Sequence, residues 1–286
     1  METVKSRDGT SIAYDRVGEG PAVIIVDGAL STRGGKADLA RLLAERFSVY
    51  SYDRRGRGDS GDTLPYAVDR EIEDIDALVD LIAAAGGSAF LYGHSSGGCL
   101  AMDATVKLSG KVAKLAMYEA PYNDDPAAQK AWAEYLTSLT ELLASGRRGD
   151  AVALFMALVG TPAAQIEGMR QAPFWAGMEA IAPTLAYDHT GIMGKTGAIP
   201  IERAVRIQVP TLVISGTAGL PFMLETAKTL SRTIPGAELR TLDGQAHDVH
   251  AEVLAPVLAD FFAAIVRKEG IEPNANAEFR HSRGPK

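Results

Sequence analysis

Five short, largely apolar runs, "AVIIV", "FSVYSYD", "AFLYG", "VAKLAMYE" and "PTLVIS", recur along the chain with helical patterns between them. An apolar run without polar alternation marks a strand covered on both faces. Such strands need helices above and below, so the alternation predicts a mostly parallel central sheet flanked by helices. The clearest helical pattern is "DREIEDIDALVDLIAAAGG", where Ile72, Ile75, Leu78, Val79 and Ile82 share one face and Gly86 supplies a stop. Ahead of the first buried run, "TVKS" and "SIAYDRV" form a predicted hairpin about the Asp8-Gly9 turn.

The alternation stops after Tyr118. From about Asp125 to Pro200 the sequence is helical and strand-poor, with helices expected from near Pro126, Asp150 and Pro162 and from Trp175 to Ala186. Strand and helix resume at "VPTLVIS", continue through "AELRTL", and close with a helix expected from Val249 to Lys268. The predicted organisation is a core of residues 1–122 and 201–268, a helical cap (lid) of residues 123–200, and a polar, aperiodic tail at 269–286 that reads as flexible.

Composition narrows the function classes. An apolar fraction of 47% supports a sizeable core, and a formal charge of -7 disfavours a nucleic-acid partner, which needs clustered positive charge. Cys99 is the single cysteine, so no internal disulfide can form, and "METVKSRDGT" has no apolar stretch suited to a signal peptide. No run reaches the roughly 18 apolar residues of a membrane span. The expectation is a cytoplasmic protein with neither membrane nor nucleic acid as partner; homo-oligomerisation is left open.

The strongest chemical signal is "FLYGHSSGGCL", in which Gly93-His94-Ser95-Ser96-Gly97 fits G-x-S-x-G. An apolar strand runs into it and a helix-forming stretch runs out, the context a nucleophile elbow requires. There the serine sits on a strained turn, and the flanking glycines are needed where a Cβ would meet backbone. The turn presents the Ser95 hydroxyl at the carboxyl edge of the sheet and aims the Ser96 N–H, at a helix start, toward a developing oxyanion. His94 reads as a positioning residue beside the nucleophile.

With elbow, alternation and insert together, the sequence resembles the α/β-hydrolase fold family over nearly all of residues 1–266. "YDRRGRGDSG" looks like that family's D-x-x-G-x-G-x-S loop, which is structural there; the Arg57-Gly58-Asp59 inside it also spells a cell-adhesion tripeptide, a reading given little weight. "LDGQAHDVH" resembles the family's terminal histidine loop, with His247 in the catalytic slot. Of the five histidines, His281 falls in the tail, His189 in the cap, His94 in the elbow and His250 at a helix start, which leaves His247 best placed as general base.

The triad acid is displaced. In "LVISGTAGLPF" the family's usual aspartate position is Gly219. Asp243 and Asp248 are too close to His247 in sequence to approach its far ring nitrogen readily. Glu119, ending the strand after the nucleophile helix in "LAMYEAPYNDD", emerges beside Ser95 and is the expected acid. The resemblance supports this, since a subgroup of haloalkane dehalogenases and the zearalenone lactonases place their acid there, and the latter share a G-x-S-S-G elbow and Asp-Gly in the oxyanion loop. A dehalogenase is disfavoured because its nucleophile would be aspartate.

The resemblance also implies that the loop "DGALST" supplies the second oxyanion donor, the N–H of Gly28 or Ala29, paired with that of Ser96. Asp27 stands where histidine is commoner; it either bonds its own loop or binds a substrate hydroxyl. Trp132, Trp175 and Met156 are candidate substrate contacts in the cap, or else pack the cap on itself. The expected function is a cofactor-independent serine hydrolase acting on a small, apolar ester or lactone through Ser95, His247 and Glu119. Two alternatives use the same fold: a non-hydrolytic lyase or cyclase, and a ligand-binding protein with little turnover.

Overall fold

The structure, a computed structural model, describes residues 1–264. The expected tail, His281 and the end of the helix expected to reach Lys268 lie outside the described residues.

Eight strands form one sheet in the order β1-β2-β4-β3-β5-β6-β7-β8. These are β1 (Glu2–Lys5), β2 (Ser11–Val17), β3 (Ala22–Val26), β4 (Ser48–Tyr52), β5 (Ala89–His94), β6 (Val112–Tyr118), β7 (Thr211–Gly216) and β8 (Glu238–Leu242). Pairing is antiparallel from β1 through β2 to β4 and parallel from there to β8. β3 shows why its sequence carries no alternation: Val23 and Ile25 enter the core on one face, Ile24 and Val26 the core on the other.

The core helices are α1 (Ala37–Leu43), α2 (Val68–Ala84) and α3 (Ser96–Lys107), and the chain later adds those of the insert and two more. Ile75 and Leu78 of α2 are fully buried, and burial of this kind contributes about 1.5–3 kcal/mol per side chain. Gly86 follows α2 with φ +81, a left-handed stop that glycine adopts without a Cβ penalty.

Between β6 and β7 the insert carries α4 (Pro126–Ala144), α5 (Arg148–Leu158), α6 (Ala163–Arg170), α7 (Trp175–Ile181) and α8 (Ile201–Ala204). Asp125 starts α4 by accepting from the N–H groups of Ala127 and Ala128. The helix expected from Trp175 to Ala186 is broken: α7 ends at Ile181, a 3-10 turn spans Ala182–Thr184, and a π-helical segment follows at Tyr187–Ile192. Pro183 is the cause, because it has no N–H and its ring blocks continuation of an α-helix.

After β7 come α9 (Pro221–Thr233) and, after β8, α10 (Ala251–Ala263). α10 starts two residues later than expected, because His250 is extended and donates its N–H to Gln245 Oε1. At the other end of α10, buried Lys114 donates to the carbonyls of Phe261, Phe262 and Ala264, satisfying groups the helix end leaves open.

Candidate active site

Three non-glycine residues have positive φ among the described residues: Leu30 (53°), Ser95 (56°) and Glu119 (46°). They follow β3, β5 and β6, which are neighbours in the sheet, so backbone strain collects at one stretch of its carboxyl edge.

Ser95 occupies the turn between β5 and α3 at φ 56°, ψ -131°, and its N–H donates to the Tyr118 carbonyl at 2.9 Å. The flanking glycines are obligatory. A Cβ on Gly97 would collide with the Val26 carbonyl and lie 2.6 Å from that of Asp27; one on Gly93 would lie 2.6 Å from the Gly97 carbonyl.

Glu119 is buried, and its carboxylate is held at both oxygens. Oε1 accepts from the Gly216 N–H at 3.0 Å and the Ser215 hydroxyl at 3.3 Å, while Oε2 is 2.8 Å from His247 Nδ1. An ionised carboxylate only accepts, so the imidazole proton belongs on Nδ1 and Nε2 is left free to act as a base. The loop carrying His247 is anchored by the Tyr118 hydroxyl, which donates to the Ala246 carbonyl at 2.5 Å, and by the Ala218 N–H, which donates to that of Gln245 at 2.8 Å. The His94 ring stacks on Tyr118 and sits 5.1 Å from the His247 ring. Burial pushes the His94 imidazole well below its ordinary pKa, so it remains neutral. Asp243 instead accepts from the Thr217 hydroxyl, and Asp248 is exposed.

In the loop after β3, one of the two expected N–H donors is taken. Gly28 does abut Ser95, since a Cβ there would lie 3.0 Å from Ser95 Cβ, but its N–H donates to Asp27 Oδ1 at 2.8 Å. It is therefore occupied, whereas the N–H groups of Ala29 and Ser96 have no hydrogen-bond partner among the described residues. Asp27 is accordingly turned back on its own loop, with Lys36 Nζ 4.0 Å from Oδ1, while Oδ2 is buried without a partner.

Beneath this loop lies a buried ionic network absent from the sequence reading. Arg54 pairs with Glu71 through two hydrogen bonds of 2.7 and 2.8 Å, and Arg54 and Arg57 both reach Asp188 of the π-helical segment. Burial opposes ionisation of Asp188, yet the two guanidinium groups hold its carboxyl down to about 2. Burial and Arg54 push Arg57 below its ordinary value, which leaves a guanidinium still charged. With Arg57 buried, the Arg57-Gly58-Asp59 tripeptide is not presented for adhesion. The signal in the sequence was the cluster of arginines in "DRRGRGD", which demands buried acids, but nothing in the spacing names Asp188.

Trp132 and Trp175 are buried in different clusters. Trp132 packs with Tyr135 and His189 and donates to the Gly194 carbonyl; Trp175 packs with Val152, Ile166 and Ala182 under Arg170. Met156 and Leu30, of the loop after β3, both pack against the Trp175 cluster. Among the described residues no group of three His, Cys, Asp or Glu could hold a metal ion. None of the helices among them is long and apolar enough to cross a membrane.

The chain is similar in sequence and fold to known proteins. The model of the serine aminopeptidase S33 family matches residues 20–253. The solved structure of an alpha/beta hydrolase from Sphaerobacter thermophilus DSM 20745 is 49% identical, with 91% of this chain and 100% of that one covered and a TM-score of 0.81. A thermophilic esterase from Thermogutta terrifontis is 19% identical over 91% of this chain and 97% of its own, with a TM-score of 0.68, a likeness of fold. Among curated proteins, proline iminopeptidase PfmaB of Pestalotiopsis fici is 29% identical over 112 residues, 38% of this chain and only 40% of that protein's length. From the extent of the family match and the identity to the Sphaerobacter hydrolase, the chain belongs to the serine aminopeptidase S33 family of α/β hydrolases.

Proposed function

We propose that the protein is a cofactor-independent serine hydrolase that cleaves a carboxylic ester or lactone, with Ser95 as nucleophile, His247 as base and Glu119 as acid. The 2.8 Å contact between Glu119 Oε2 and His247 Nδ1 carries this reading, because it joins a strained, buried carboxylate to the histidine at the edge that also bears Ser95. As Ser95 Oγ attacks the carbonyl, His247 Nε2 takes its proton and Glu119 stabilises the resulting imidazolium. The oxyanion is received by Ala29 and Ser96 N–H. His247 then gives its proton to the leaving alcohol, and water attacks the acyl-enzyme to release the acid and restore Ser95.

An ester or lactone is favoured over the free N-terminus of a peptide by electrostatics. An aminopeptidase needs a free carboxylate to receive an α-ammonium; Asp188 is already paired with two arginines, and Asp27, whose Oδ2 has no partner, already has the Lys36 ammonium 4.0 Å from its Oδ1. A lactone is the finer reading, drawn from the local likeness of the elbow, Asp27 and Glu119 to zearalenone lactonases.

The test is labelling of the full chain by a fluorophosphonate followed by intact mass, with 4-nitrophenyl acetate turnover in 18O-water. Labelling at Ser95 and one 18O in the released acid support the hydrolase. Labelling at Ser95 without turnover of the ester favours the lyase or cyclase, and neither labelling nor turnover favours a binding protein.

A further inference from the structure

We propose that Asp188, a carboxylate contributed by the segment between β6 and β7, is a positioning residue that sets both donors of the oxyanion hole. The proposal rests on the hydrolase reading and on one geometric fact: a single buried side chain is tied to both halves of that site. Asp188 is fully buried, and its Oδ1 accepts from the Ser96 hydroxyl at 2.7 Å and from Arg54 Nη1 at 2.6 Å. Its Oδ2 accepts from Arg57 Nη2 at 2.5 Å.

The first arm runs through Ser96. Its hydroxyl is fixed on Asp188 while its backbone N–H, the first of α3, stays free among the described residues. The side-chain bond therefore orients the residue that presents the donor.

The second arm runs through Arg57, whose Nη1 donates to the Gly28 carbonyl at 2.5 Å. In a trans peptide the carbonyl of one residue and the N–H of the next point in opposite directions. Drawing the Gly28 carbonyl toward Arg57 thus turns the Ala29 N–H the other way, and Ala29 is the donor left free once Asp27 has taken the N–H of Gly28. Arg54 adds a contact to the Asp27 carbonyl at 3.3 Å and is itself clamped by Glu71, whose Oε1 also accepts from the Tyr66 hydroxyl. The network is buried and charged, and every guanidinium nitrogen of Arg54 and Arg57 except Arg57 Nε has a partner, so it holds the two donors at a fixed separation before substrate arrives, the condition under which oxyanion donors are most effective.

The chemistry gives a readout that a merely structural role would not move. Sulfur accepts hydrogen bonds more weakly than oxygen, so an oxyanion hole favours an ester over its thionoester. We would compare turnover of 4-nitrophenyl acetate and 4-nitrophenyl thionoacetate by the wild type, Ser96→Ala and Asp188→Asn. Removing a whole donor costs roughly 10²–10³ in kcat, so displacing one should slow the oxo-ester by about tenfold to a hundredfold. The thionoester should slow much less, compressing the ratio between the two, with KM little changed. Ser96→Ala decides the matter where Asp188→Asn fails to fold, because it keeps every charge of the network. Equal slowing of both esters, or no change in Ser96→Ala, overturns the positioning role and leaves the hydrolase reading standing. A wild type that neither labels at Ser95 nor turns over either ester overturns that reading, and this proposal with it.

Discussion

Glu119 and Gly219 share one space: a Cβ on residue 219 would lie 3.1 Å from Glu119 Oε1 and 3.6 Å from Oε2. The acid and the vacated aspartate position are thus two halves of one substitution. Gly219→Asp alone would press a second carboxylate against the first, and like charges at such range cannot both ionise. We expect it to cut kcat sharply. Glu119→Gln should lose about 10³–10⁴ in kcat, as when a triad acid no longer fixes the histidine tautomer. The double variant Glu119→Gly/Gly219→Asp, which clears the space and places a carboxylate at the other strand end, should exceed both Glu119→Gly and Gly219→Asp in ester turnover. A double variant no better than either single one would show that position 219 cannot reach His247.

This exchange was legible in sequence because absence and presence occurred together, a glycine in one strand-end position and a glutamate in another. The strands were legible for a similar reason: two-sided burial leaves β3 and β6 no polar alternation. Orientation of single peptide planes was not. Nothing in "DGALST" reveals that Asp27 reaches back to the N–H of Gly28 and leaves Ala29 as the free donor. Nor could spacing pair Arg54 with Asp188, which are 134 residues apart and meet only when the insert folds onto the elbow. The helix expected through Ala186 failed on Pro183, a local rule overridden by the apparent continuity of the apolar pattern around it.

Ser95 stores strain that catalysis needs and stability does not. Its φ of 56° with ψ of -131° lies where only glycine is at ease, a conformation costing about 1–3 kcal/mol for other residues. Ser95→Gly should therefore be more stable than Ser95→Ala by about 1 kcal/mol, reversing the usual preference for alanine, while both abolish turnover. For a chain of this size that is a Tm difference of roughly 2–4 °C, readable by calorimetry. Equal melting of the two would mean that the turn relaxes once the hydroxyl is gone.

Asp27 separates a structural bond from a charge. Asp27→Asn can still accept from the Gly28 N–H and removes a negative charge beside a developing oxyanion, so ester turnover should hold or rise. Asp27→Ala forfeits the bond, which at a charged acceptor contributes about 1.5–3 kcal/mol, and should lower both Tm and kcat. A large fall in kcat for Asp27→Asn at unchanged Tm would instead assign the charge to substrate, through the Oδ2 that now has no partner.

His189 gives the fold an acid limit. Burial among Trp132, Tyr135 and Phe155 is the main cause that lowers its pKa from 6.5 to about 4; Asp188 works against the shift, and Arg57 and Arg54 add to it. The Tyr135 hydroxyl, 2.8 Å from Nδ1, serves the neutral ring as a donor. Because the folded state binds the proton less readily than the unfolded chain, this contribution to stability is full above about pH 6.5 and is lost as pH falls toward 4. At about 1.4 kcal/mol per unit, the loss is on the order of 3 kcal/mol. Asp74 and Asp103 oppose it, since burial raises each to about 6 and their ionisation weakens the fold as pH rises through the same window. The wild-type profile alone therefore mixes opposite signs. Urea unfolding of wild type and His189→Gln at pH 7.5, 5.5 and 4.5 isolates the histidine: the wild-type advantage at pH 7.5 should shrink steadily toward pH 4.5. Parallel profiles would mean that His189 is protonated in the folded protein without penalty, and its pairing with Tyr135 would then have to run with the imidazolium as donor.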